Sequence, residues 1–369
     1  MAVGLEKVLG QPSWKIESDL VEAYVTETGA HLGPVSFRLG SRLVQPFHVA
    51  PWSDEKLDRS VPEIVKVLRG DFFCLPFGSN ETHYGDEVHP LHGETSNAKW
   101  SQIESNVFEL KTTVRAGLVQ RSIELRPGEA NVYTKNAIIG MSGPMCFGNH
   151  AMLAFPSEGL ISTSRFQFGM VFPGEFEDAA SGGYSCLKPG ERFQRLEVVP
   201  MANGSIADLS RYPAREGFED LVMLVGDDSI PFAWNAVVFP EEGYLWFCLR
   251  NPNALRHTVL WHSNGGRHYA PWNGRHRSVL GIEDVTAYFH YGLAESAARN
   301  LLSEERIPTY ADLDPAVPLV VSTIMGVAPV GPGAEHVDTI ESAEGGIEIG
   351  LRSGETIRVN CDLEFLEIR

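Results

Sequence analysis

The stretch NVFELKTTVRAGLVQRSIELRPGEANVYTKNAIIG, residues 106–140, decides the fold. Phe108 and Leu110 alternate with polar neighbours, and Val119, Ile123 and Leu125 continue the pattern. A period of two puts every second side chain on one face, the signature of a half-buried strand. The chain turns at Arg126-Pro127-Gly128-Glu129 and returns through Val132, Tyr133, Ile138 and Ile139. Turn residues between alternating runs predict antiparallel, meander-like pairing.

The same punctuation runs outward in both directions. The 36 glycines and 23 prolines are spread evenly through 369 residues, between short segments rich in Val, Ile, Phe and Tyr. VEAYVTETGAHLGPVSFRLGSRLVQP, residues 21–46, reads as a strand, a Thr28-Gly29 turn, a second strand and a Leu39-Gly40-Ser41 turn. PLVVSTIMGVAPVGPG, residues 318–333, reads as a strand and a loop, and residues 345–369 alternate around a Ser353-Gly354 turn, so a hairpin closes the chain. No βα rhythm appears, which disfavours a doubly wound sheet. Two stretches are predicted as short helices: SVPEIVKVLRG, residues 60–70, and LAESAARNLLSEERIP, residues 293–308, which stops at Pro308. The expectation is an all-β chain with one or two short helices. One unit spans 1–317, and strands in 318–369 belong to the same domain.

Net charge is −18. Phosphate backbones need a basic stripe, so nucleic acid is not an expected partner, and an anionic membrane surface is disfavoured for the same reason. No apolar run is long enough to span a bilayer. The five cysteines, Cys74, Cys146, Cys186, Cys248 and Cys361, are scattered and unpaired by spacing. Neither a disulfide framework nor a structural zinc site is expected. The first residues, MAVGLEKVLGQPSWKIES, carry no apolar secretory region, and the expected setting is reducing and cytoplasmic.

Several chemistries lack their signatures. No G-x-S-x-G elbow and no phosphate-cradling glycine loop before a helix occurs, and Cys74 lies in the apolar run DFFCLPFG. HPLHGETSNAKW, residues 89–100, offers His89, His92 and Glu94 to a metal, but Pro90 and Gly93 forbid the helix that the strong zinc motifs need. General acid–base chemistry remains. It needs a positioned base, a positioned acid and an apolar wall that tunes both. Glu283 follows Val279, Leu280 and Ile282 in SVLGIEDVTAYFHYG, with His290 seven residues on. His150 stands in CFGNHAMLAFP between Asn149 and Ala151. Asp220, in GFEDLVMLVGD, reads either as a functional carboxylate or as a turn residue.

The order of these motifs carries a resemblance. TGAHLGPVSF, LRGDFFCLPFG, HPLHGETSNAKW, QRSIELRPG, FGNHAMLAFP, the FED segment and VLGIEDVT succeed one another over residues 20–293. The succession resembles the aldose 1-epimerases, or galactose mutarotase-like proteins, including the hexose-6-phosphate mutarotase branch. The resemblance implies a large antiparallel β-sandwich that binds a pyranose in a cleft and interconverts its α and β anomers, with no metal or organic cofactor. By that resemblance Glu283 is the base at the C1 hydroxyl, and His150 is the acid at the ring oxygen. His92 would hydrogen-bond sugar oxygens, and Asp220 would grip sugar hydroxyls. Arg69 would match the arginine of the sugar-phosphate branch. Trp261, Trp100, Phe72 and Phe77 would offer an apolar platform. Pro90 and Gly93 would bend the chain so that His92 faces the cleft, with Trp100 anchoring the segment after the bend.

Departures mark where the resemblance thins. Ser96 stands where the phosphate branch carries an arginine, so one phosphate clamp is missing. Arg267, Arg275 and Arg277 would replace it or form a solvated basic loop. Ala151-Met152 follows His150, and Asp284 follows Glu283, where the family favours other residues. Residues 262–278 read as an inserted loop, and the tail beyond 318 has no counterpart. A carbohydrate-binding protein without catalysis, and a metal-dependent sugar isomerase or lyase using His89, His92 and Glu94, stand as alternatives.

Overall fold

In a computed structural model describing residues 4–367, the 106–140 segment forms the meander the sequence predicts. Val107–Thr112, Gly117–Glu124 and Asn131–Ile139 pair antiparallel in chain order, with Phe108 opposite Arg121 and Thr134 opposite Ile123. The meander lies toward one end of a nine-stranded antiparallel sheet, inside the edge strand Ser101–Glu104. Leu319–Pro329 lies in the middle of that sheet, between Asn131–Ile139 and Tyr244–Arg250. The part of the tail that begins there thus continues the same sheet.

A twelve-stranded sheet packs against it. Its centre, in spatial order, is Asp71–Cys74, Phe147–Ala154, Val279–Thr286, His257–Ser263, Glu219–Gly226 and Phe166–Val171, each antiparallel to its neighbours. Val279–Thr286, His257–Ser263 and Glu219–Gly226 are buried at every position. Covered on both faces, they read as apolar runs with isolated polar residues rather than as clean alternation. The result is a large antiparallel β-sandwich.

The space between the sheets is not wholly apolar. Asp284 Oδ1 lies 2.8 Å from the Arg250 guanidinium and accepts hydrogen bonds from Asn235 and Thr258, each at 2.8 Å. Asp71 meets Arg121 at 2.6 Å, and Asn136 donates to Asn149 at 3.2 Å. The two charges of each pair need one another: paired, they offset much of the cost of dehydration, and either one alone would be several kcal/mol unfavourable. Asp284, an oddity in the sequence, is the partner of Arg250 on the face opposite Glu283.

A third sheet of three strands, Val337–Ala343, Gly346–Leu351 and Thr356–Asn360, covers the outer face of the nine-stranded sheet. Ile340, Ile347 and Ile349 pack in one cluster with Trp234, Leu245 and Phe247. This burial removes from water an apolar face that would otherwise promote association.

Helices are shorter than expected. The first covers only Glu63–Val67. The second expected helix is broken into Leu293–Ala297 and Leu301–Glu304. Ala298 adopts extended backbone, and Asn300 starts the second piece with a capping box, its side chain accepting from Leu302 and Ser303. All five cysteines are free thiols. Among the described residues no helix is long and apolar enough to cross a membrane.

Candidate active site

Strand register assembles the site. On adjacent strands, Phe72 lies opposite His150, His150 opposite Glu283, and Gly281 opposite Trp261. Directly paired residues share a face, so Phe72, His150, Glu283 and Trp261 point the same way. They line one cavity of about 750 Å³, together with His92, His290 and Leu221. Gly281 provides room: a Cβ there would lie 2.8 Å from Glu283 Oε1 and 3.1 Å from the Trp261 Cβ.

His150 Nε2 and Glu283 Oε1 are 3.2 Å apart. Both side chains are nearly inaccessible, and neither Glu283 Oε2 nor His150 Nδ1 has a protein hydrogen-bond partner among the described residues. Burial raises the Glu283 carboxyl well above the ordinary glutamate range, an effect that the positive charge of Arg267 partly offsets. Burial likewise holds His150 well below the usual imidazole value, and the neighbouring His290 adds to this. A carboxyl pushed up and an imidazole pushed down, in contact, bring their proton affinities closer together, which is what a proton transfer between them needs.

Aromatic rings fix the imidazole. Phe72 stacks on His150 at 4.6 Å and on His31 at 4.1 Å, and Trp261 meets His150 edge-on at 6.0 Å. His92 lies 5.2 Å from His150 between ring centroids and 4.8 Å from His290. Its backbone takes the left-handed conformation, φ 57°, followed by Gly93 at φ 77°. At Gly93 a Cβ would come within 1.8 Å of the Leu75 carbonyl oxygen, so only glycine fits. The His92 amide donates to Gly78 O, and Ser96 Oγ donates to His92 O. Ser96 thus braces the His92 segment from within. Trp100 donates to Thr95 O and is buried. Trp100 and Phe77 do not line the cavity; Phe77 instead packs on His92 at 4.9 Å.

The structure does not bring two sequence candidates to this cavity. The Arg69 guanidinium donates to the carbonyls of Val8 at 3.1 Å and Leu9 at 2.7 Å, and its Nε to Val67. It ties the N-terminal strand to the sheet and does not line the cavity. Asp220 accepts from the amides of Cys186 and Leu187 and lies 3.4 Å from Arg215. It faces the other side of its strand from Leu221, which does line the cavity. The preceding residue, Glu219, has the right parity. It accepts from the Trp261 indole at 2.9 Å, Ser263 at 3.0 Å and the Gly266 amide at 3.0 Å, and burial pushes its carboxyl up to about 7.

His89 and Glu94, which with His92 make up the alternative metal-ligand set, are engaged elsewhere. His89 bonds to Glu87 at 2.7 Å, and the Glu94 carboxylate accepts from Thr113 and Val114. Among the described residues no group of three His, Cys, Asp or Glu side chains could hold a metal ion.

Of the three arginines of the 262–278 loop, only Arg267 lines the cavity. Its Nε donates to Glu177 at 2.6 Å, and its guanidinium lies 5.0 Å from the Trp261 ring centroid and 4.6 Å from that of Trp272. Arg275 pairs with Glu55 and Arg277 with Glu216 outside it. His290 and Arg267 also line the cavity; the sequence offers them only as a residue spaced seven from Glu283 and as one of three arginines that could replace the missing phosphate clamp. His290 lies beyond the strand that carries Glu283, where strand parity gives no guide; the aromatic surroundings in AYFHYG are its one local signal.

No protein-family model matches the sequence, and no curated protein matches it either. Solved structures do match. A candidate aldose 1-epimerase from Escherichia coli K12 superposes with a TM-score of 0.59 at 11% identity, covering 87% of this chain and 100% of that one. A galactose mutarotase related enzyme from Lactobacillus acidophilus gives 0.55 at 13%, with 87% and 99% covered. A candidate mutarotase from Salmonella typhimurium gives 0.55 at 11%, with 89% and 97% covered. At these identities the likeness is one of fold, and it places the chain in the structural class of mutarotase-like β-sandwiches.

Proposed function

We propose that this protein binds a sugar in the 750 Å³ cavity and interconverts its α and β anomers. The observation that carries the reading is the buried Glu283–His150 pair, 3.2 Å apart, set among the aromatic rings of that cavity.

In the free protein burial favours the uncharged arrangement, with the shared proton on Glu283. Sugar hydroxyls at Glu283 Oε2 and His150 Nδ1 would stabilise the carboxylate–imidazolium form. Glu283 then takes the proton from the C1 hydroxyl while His150 delivers its proton to the ring oxygen. The bond between C1 and the ring oxygen breaks, leaving an open-chain aldehyde. Rotation about C1–C2 presents the other face, and the two proton transfers reverse as the ring closes. Each transfer is worth on the order of 10²–10⁴-fold. His92 and His290 line the same wall and supply hydrogen bonds to the sugar. No step uses a metal or organic cofactor. A cytoplasmic setting belongs to the same proposal, and five free thiols support it.

A second reading is a carbohydrate-binding protein without catalysis. It is favoured by the absence of Arg69 and Asp220, two sugar contacts that the resemblance implies, from the cavity lining. Polarimetry on a panel of freshly dissolved aldoses separates the two. Acceleration above the buffer rate for at least one sugar supports the enzyme; binding with an unchanged rate for every sugar supports the binder.

A further inference from the structure

Trp261 lines the cavity, but the side chains that hold it from behind do not. Its indole N–H donates to Glu219 Oε2 at 2.9 Å, and its ring stacks on His276, with centroids 5.3 Å apart and planes at 14°. Ser263 joins these two supports. Its Oγ donates to Glu219 Oε1 at 3.0 Å and lies 2.6 Å from His276 Nδ1. Glu219 and Ser263 lie opposite each other at the ends of adjacent strands, so the β-ladder sets their contact. His276 enters from the 264–278 loop, where its carbonyl accepts from the Gly265 amide at 2.8 Å. All three side chains are buried.

Counting protons fixes the direction of each bond. A serine hydroxyl has one hydrogen to give. While Glu219 is ionised that hydrogen goes to Oε1, so His276 Nδ1 carries a hydrogen and donates it to Ser263. His276 Nε2 is then bare, and it has no protein partner among the described residues. A proton arriving at Nε2 reverses the chain. The Nδ1 hydrogen passes to Ser263, the Ser263 hydrogen passes to Glu219, and the imidazole is left neutral in its other tautomer. Burial pushes the Glu219 carboxyl up to about 7 and holds His276 well below the usual imidazole value, so the added proton rests on the carboxyl and not on the ring. The charged and titratable groups around Glu219 are Arg267, Glu177, Tyr269, Tyr212 and His276. Those around His276 are His48, Arg267 and His150.

We propose that Glu219, Ser263 and His276 are positioning residues for Trp261: a proton-conducting support that fixes the indole as one wall of the cavity and converts each change of charge on Glu219 into a change of tautomer on His276. That the wall serves a sugar rests on the anomer-interconverting reading. The support itself rests on the hydrogen bonds and the stacking.

NMR of the ¹⁵N-labelled full-length protein, from about pH 6 to about pH 8, reads the support without any sugar. Ring-nitrogen shifts distinguish the two tautomers, and the His276 and Trp261 signals are assigned by their loss in His276→Gln and Trp261→Phe. In the wild type His276 should change from Nδ1–H to Nε2–H as pH falls, with a midpoint at about 7, and the Trp261 indole signal should move at the same midpoint. Ser263→Ala should leave the indole following pH while His276 no longer does. Glu219→Gln should remove both responses. The proposal is overturned if neither signal responds in the wild type, or if both responses persist in Glu219→Gln. A second arm titrates the aldose panel by calorimetry. Glu219→Ala should weaken any aldose that the wild type binds by about tenfold; unaltered affinity would overturn the positioning role. Coupled responses in a protein that binds no aldose would retain the support and remove the sugar reading.

Discussion

Glu283 and His150 face each other on neighbouring antiparallel strands, in direct register, with Oε1 3.2 Å from Nε2. The contact is therefore a property of the β-ladder rather than of a loop. A register slip of one residue in either strand would turn its member of the pair into the space between the sheets. Below them, the Asp284–Arg250 and Asp71–Arg121 pairs pin the strands that carry them.

Gly281→Ala tests how tightly the pair is held. The new Cβ would lie 2.8 Å from Glu283 Oε1, so the carboxylate must move off His150. The expected outcome is a folded protein, less stable by about 1–3 kcal/mol, with kcat lowered more than KM is raised. Steady-state kinetics and a urea titration check it.

Asp284→Ala leaves Arg250 buried without its charge partner. A loss of roughly 3–5 kcal/mol is expected, read as a shift in denaturation midpoint. The double variant Asp284→Leu with Arg250→Met should lose much less, because neither charge then remains.

The correction at Arg69 and Asp220 has its own test. Arg69→Met removes bonds to Val67, Val8 and Leu9, and Asp220→Ala leaves the Cys186 and Leu187 amides unpaired. Both variants should lower thermal stability and leave sugar affinity within about twofold, since each buried bond contributes roughly 1 kcal/mol to the fold. A loss of affinity at full stability would put these side chains back in the sugar site.

Stability should also depend on pH. Burial holds His31, His48, His92, His150, His257, His262, His276 and His290 below the usual imidazole value, His31, His257 and His290 at about 3. A histidine depressed in the fold binds its proton more readily when unfolded, so stability falls as pH drops below about 6.5. Glu219, Glu283 and Asp71 oppose this, because carboxyls raised in the fold contribute stability that is lost as pH rises. Eight imidazoles outweigh three carboxyls. The melting temperature should fall by at least several degrees between pH 7 and pH 5.5, at about 1.4 kcal/mol per histidine per pH unit; a flat profile would contradict the buried-neutral assignment.

The meander was legible in residues 106–140 because alternation and turn chemistry are local. The Glu283–His150 pair was legible in part, since a charge inside an apolar strand needs a reason, and the order of motifs supplied one. The facing of Asp220 was not legible because it lies in a fully buried strand, where apolar alternation no longer reports which face a residue takes. Arg69 was misplaced because its partners are backbone carbonyls some sixty residues away, which no side-chain pattern reveals. Ala298 breaks the expected 293–308 helix where intrinsic propensity favours continuation: tertiary packing and the Asn300 cap override it.

The most direct measurement is α/β exchange of a bound aldose monitored by NMR saturation transfer, with wild-type protein beside Glu283→Gln at equal folded concentration. The account predicts measurable exchange in the wild type and a loss of at least about 10²-fold in the variant. Equal exchange in the two proteins would contradict it.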